Sequence, residues 1–148
     1  MFKALLRSFA LLLSGPLLLS VSLYAMEIWK WDKMAGLDQD EYIVILVQGS
    51  QQALKDAGRS DDAAKVHKLF TTNDENGVSI GMNEFMMTLA LARKADADRI
   101  TKDSGATRLE VEHAMVVMLK KNDIILPKSF MTVNKDFKPK HPPKEEKK

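Results

Sequence analysis

Five oxygen-bearing side chains, Asn73, Asp74, Glu75, Asn76 and Glu84, fall within one short window of a 148-residue chain, with Gly77 among them. Neutral and anionic oxygens crowded this way suit a hard cation such as calcium, which takes about six to eight oxygen ligands. The same residues also make an ordinary polar turn between two helices, with Glu84 in a first helical turn where its charge complements the helix dipole. Soft-metal chemistry has no comparable set: there is no cysteine, and the three histidines stand apart at His67, His113 and His141. The nucleophile elbow, the phosphate-binding loop and the paired His-Glu motif of zinc proteases are absent, so the chain reads as a non-enzyme without a cofactor.

The elements around that window are helical. Asp38-Gln39-Asp40-Glu41 has capping-box spacing, and the spacing predicts a helix over about 39–57 whose inward stripe is Tyr42, Ile43, Leu46, Ser50, Ala53 and Leu54. Gly58 suits a C′ position, and Ser60-Asp61-Asp62 opens a second helix with Ala63, Val66, Leu69 and Phe70 facing in. Ser79 or Asn83 caps a third, with Met82, Phe85, Met86, Leu89, Ala90 and the stem of Arg93 as its stripe and fraying expected near 97–100. Thr107-Arg108-Leu109-Glu110 is a second capping box, before a fourth helix that buries Val111, Ala114, Met115, Met118 and Leu119 and stops at Asn122. The lead-in at 26–35 is too short to assign, though one of Trp29 and Trp31 should pack on the domain. Pro127 makes 124–127 an extended segment. The fold class is all-α, a small four-helix domain.

Helix, polar loop with Gly77, lone Ile80 and a second helix around Glu84-Phe85 resemble an EF-hand over residues 60–97. That family has ligands at loop positions 1, 3, 5, 7, 9 and 12 and Gly at 6. With Gly77 at position 6, Thr72, Asp74 and Asn76 fall on 1, 3 and 5, and Ile80 and Glu84 arrive one residue late. With Glu84 at 12, Asn73 and Glu75 fall on 1 and 3 and Gly77 on 5. The resemblance implies a calcium site of Asn73, Asp74, Glu75, Asn76 and Glu84, and a pair of units. Met82, Met86, Leu89 and Ala90 align with Val111, Met115, Met118 and Leu119, and the second loop at 96–105 departs further from the pattern. Gly81 has no role in it. The methionines of both helices fit either an adaptable groove or core filling.

The amino terminus has a different composition. Lys3 and Arg7 precede an apolar run over 9–23, and Leu23-Tyr24-Ala25 offers cleavage after Ala25, the pattern of a secretory signal. The alternative is an uncleaved membrane anchor over 9–28. Domains are therefore a leader at 1–25, a helical domain at 26–134 and a disordered Lys/Pro-rich tail at 135–148. Residues 1–25 carry two basic and no acidic side chains, so 22 against 20 becomes 20 against 20 in the mature chain. That neutrality removes the support for nucleic-acid binding. The expected function is an exported, periplasmic or secreted module that contacts another protein, with low-affinity calcium binding as the alternative. Membrane contact is expected only if the leader stays attached.

Overall fold

The computed structural model describes residues 25–146; apart from Ala25, the expected leader lies outside the described residues. The elements run in order α1 (Ile28–Lys33), α2 (Gly36–Asp56), α3 (Ser60–Thr71), α4 (Ile80–Lys102), α5 (Val111–Lys121) and a 3₁₀ turn (Lys128–Thr132). The domain is all-α, and pairing outside helices is confined, among the described residues, to two isolated bridges, Glu27 with Glu110 and Asn73 with Ser79. Helices adjacent in sequence pack on one another from α2 to α5, and the 3₁₀ turn closes on α2.

One continuous core runs from Ile28 to Phe130. All six residues expected on the α2 stripe are buried, as are all five on α5. The helix stops are built as their residues require. Gly58, at φ 74°, lets Arg59 N–H reach the Leu54 carbonyl at 2.8 Å, a Schellman closure. Asp123 takes the same left-handed position after α5, at φ 61°, and Ile124 N–H returns to Leu119 O at 2.9 Å. That return also drives Ile124 into the core.

Several expectations change. The lead-in contains a helix, α1, which buries Trp31 and leaves Trp29 exposed. The first capping box does not form, because α2 already begins at Gly36. Asp38, with no accessible surface, instead accepts from the Lys140 and His141 N–H groups, each at 3.0 Å. The stretch expected to be a disordered tail has no helix or strand over 138–146 and meets the body there. The second box also fails, since Glu110 is extended and bridges Glu27 before α5 begins. Helix α4 does not fray at 97–100 but continues to Lys102, so most of the second acidic loop is helical. Its buried residues are Gly81, Phe85, Thr88, Leu89, Leu91, Ala92 and Asp96, while Met86 and Ala90 face solvent. Ser79 is the cap, accepting from Met82 N–H at 3.2 Å.

Gly81, to which the sequence assigns no role, sits where α3 and α4 converge. A Cβ there would lie 2.9 Å from Phe70 Cγ and 3.0 Å from the Leu69 carbonyl oxygen, so the close crossing needs its absence. Gly→Ala inside a helix ordinarily gains up to about 1 kcal/mol, whereas forcing a methyl against backbone costs about 1–3 kcal/mol. Gly81→Ala is therefore expected to destabilise in urea unfolding, and Gly36→Ala, with open space around it, is expected to be neutral or stabilising. Equal effects at the two positions would contradict the close crossing.

Candidate functional site

The loop between α3 and α4 is organised around Asp74. Its Oδ1 accepts from Asn76 N–H at 2.8 Å and Val78 N–H at 3.0 Å, and its Oδ2 accepts from Asn83 Nδ2 at 2.9 Å. Gly77, at φ 77°, makes the reversal between them, a conformation that costs glycine little. Asp74 N–H to Val78 O at 2.8 Å and Ile80 N–H to Thr72 O at 2.9 Å close the loop across its neck. One carboxylate thus satisfies three donors, leaving the loop ordered by its own bonds.

The five residues expected as cation ligands do not converge. Asn73, Glu75 and Asn76 are exposed around the rim, and Asp74 turns inward to the loop backbone. Glu84 faces away from the loop: its Oε2 accepts from Asn122 Nδ2 at 2.8 Å, and Asn122 also reaches the Met118 carbonyl at 3.0 Å. Among the described residues no three His, Cys, Asp or Glu side chains gather as a metal-holding group.

Glu84 and Asn122 instead brace a groove. It is lined by Lys65, Lys68, Leu69 and Thr72 from α3 and its end, Ile80 at the start of α4, and Asn122 and Ile124 after α5. Its volume is about 320 Å³, near the lower edge of the roughly 300–1,000 Å³ of ligand pockets. Leu69, Ile80 and Ile124 give it an apolar floor; Lys65, ion-paired at 3.5 Å with Asp62, keeps a largely exposed ammonium. The groove was not legible in the sequence, because its walls come from three helices and Ile124 is aimed only by the αL turn at Asp123. The one available signal was Asn122, a stop residue that recurs here as a wall.

A second convergence of titratable groups lies inside the domain. Glu112, with no accessible surface, accepts from the Tyr42 hydroxyl and from Met26 N–H, the latter at 3.0 Å. Burial pushes its carboxyl up to about 7, assisted by repulsion from Glu110 and opposed by the Tyr42 and Met26 hydrogen bonds. Glu110 is likewise raised to about 7, by burial and by Glu27. His113 is lowered to about 4, by burial and by the charge of Arg99, and its Nδ1 lies 3.7 Å from Glu110. Perturbed groups of this kind often mark catalytic sites, but a carboxyl without accessible surface meets no substrate. The periodicity of α5 placed Glu112 among core residues without revealing that a charge was going in.

No family model matches the chain, and no curated protein or solved structure is significantly similar to it.

Calcium at about 10 mM would add roughly 2.7 kcal/mol through a site with a Kd of 10⁻⁴ M. With Asp74 and Glu84 committed to protein donors, melts of the domain in chelator, calcium and magnesium are expected to coincide. A calcium-specific rise that disappears in Glu84→Gln would restore the cation reading.

Proposed function

We propose that this is an exported, non-enzymatic helical protein of the cell envelope that acts by docking a partner protein in the groove beside the 72–79 loop. The reading rests on the apolar floor of Leu69, Ile80 and Ile124, edged by Lys65 and Lys68. Such a groove favours a protein segment that inserts an apolar side chain and flanks it with Asp or Glu: burial supplies affinity, and the lysines set orientation and on-rate. Val78, Met86 and Met87, exposed on the loop and on α4, supply adaptable apolar surface on the same helix-loop-helix unit.

Peptides selected from a random displayed library on the immobilised domain should be enriched in an apolar residue flanked by Asp or Glu. Lys65→Glu with Lys68→Glu, both on exposed positions, should leave melting nearly unchanged and turn the preference towards Lys or Arg. A selected motif without acidic residues, or one indifferent to the charge reversal, would contradict the docking site.

A further inference from the structure

Met26 is the residue that follows the expected cleavage point, and its main-chain nitrogen lies 3.0 Å from Glu112 Oε2. The same nitrogen faces the Tyr42 oxygen. It is held there independently of anything before it: Met26 O accepts from Val111 N–H at 2.8 Å, and Ile28 N–H donates to Leu109 O at 3.0 Å. Around the Glu112 carboxyl stand the Tyr42 hydroxyl, the Met26 nitrogen and the carboxyl of Glu110. Among the described residues no lysine, arginine or histidine pairs with Glu112. A buried carboxylate without a cation is costly, and here the Met26 nitrogen, like the N–H of Glu112 itself, is an uncharged amide for as long as Ala25 remains attached.

We propose that Glu112 is the receiving site for a new amino terminus, so that cutting between Ala25 and Met26 creates a buried ammonium–carboxylate pair that locks the processed domain. The cut is a hydrolysis by an endopeptidase of the export machinery. Water adds across the amide, its oxygen goes to the Ala25 carboxylate, and its protons leave the Met26 nitrogen as an α-ammonium. One donor then becomes three, with Glu112 Oε2 and the Tyr42 oxygen already within its reach. The cation that the pocket lacks is thus supplied by processing, with little movement of the segment that 2.8 Å and 3.0 Å backbone bonds hold in place.

The pH behaviour of the two forms has opposite sign. With residues still attached before Met26, Glu112 is raised from 4.5 to about 7, so the folded state binds the extra proton and stability falls as pH rises through that interval. After the cut, the ammonium favours the carboxylate and lowers Glu112, whose contribution is then present above its unfolded value and lost towards acid. The α-amino group, ordinarily near about 7.7–8.0, is raised; its contribution is complete below that range and lost as pH rises through the raised value. Tyr42 stays neutral throughout, since burial and Glu112 raise it. Glu110, raised by burial and by Glu27 and with His113 facing it, also meets the Glu112 charge and is the other carboxyl to follow in both forms.

The proposal rests on cleavage after Ala25, and one experiment separates the two claims. The full chain is exported from a bacterial host with ¹³C-carboxyl glutamate, and the intact mass of the product gives its first residue. Its Glu112 carboxyl, assigned with Glu112→Gln, is titrated by NMR beside a chain that keeps residues 20–25 before Met26. The domain behind Met26 carries the whole core from Ile28 to Phe130, so both chains retain it. The expected result is a product starting at Met26 whose Glu112 titrates at or below 4.5, against about 7 in the extended chain, with the extended chain losing more stability than the product between pH 5 and 7. A product with any other first residue overturns the processing claim, and the same Glu112 titration in both chains overturns the receiving site. Should Glu112→Gln fail to fold, Tyr42→Phe assigns the resonance by its shift.

Discussion

A carboxyl group with no accessible surface imposes the strongest constraint on this domain. Glu112 sits in the second position of α5 among Val111, Ala114 and Met115, where desolvation penalises its charge. What makes the position tolerable is a set of donors drawn from far along the chain: the Tyr42 hydroxyl from α2 and the Met26 nitrogen from the segment before α1. The requirement ties three elements together. Met26 must lie beside Val111, which sets the Glu27–Glu110 bridge, and Tyr42 must face α5, which fixes the rotation of α2. With α2 set, Phe137 packs edge-on to Tyr42 at 5.0 Å between centroids, and Asp38 is presented one turn earlier to receive the tail.

Asp38 is a second buried carboxylate solved differently. Burial works against its charge, yet the His141 ring and the N–H groups of Lys140 and His141 together hold it below the usual carboxylate range. The loop at Asp74 follows the same logic at the surface, with three donors on one side chain. In each case a carboxylate is used to order backbone. This is why acidic residues that resemble ligands in sequence act here as internal acceptors, and why Glu84 is available to brace Asn122 and the groove wall.

Those particulars explain what the sequence could and could not tell. The stripes of α2 and α5 were legible because each buries one face, and a 3.6-residue period reports that face directly. The α4 stripe slipped because Met82, Met86, Met87 and Ala90 are apolar whether or not they are buried, while Gly81, Thr88 and Asp96 on the inner face carry no hydrophobic signal. Both capping boxes had correct local spacing and lost to distant partners: the tail's backbone claims Asp38, and Glu27 claims Glu110. Helix-loop-helix order and the Gly77 reversal were readable; the direction of Glu84 was not, because its partner lies on another helix. The groove depends on tertiary convergence, and only the stop residue Asn122 marked it locally.

A double-mutant cycle on Tyr42→Phe and Glu112→Gln tests the keystone most directly, by urea unfolding of the two single variants, the double and the parent at pH 7. Hydrogen bonds to charged groups contribute about 1.5–3 kcal/mol, and residues sharing one network couple by about 0.5–3 kcal/mol. The expected coupling is at least about 1 kcal/mol, with the double variant losing much less than the sum of the singles. Additive losses, with coupling near zero, would mean that α2 and α5 are held by apolar packing alone and that Glu112 organises nothing.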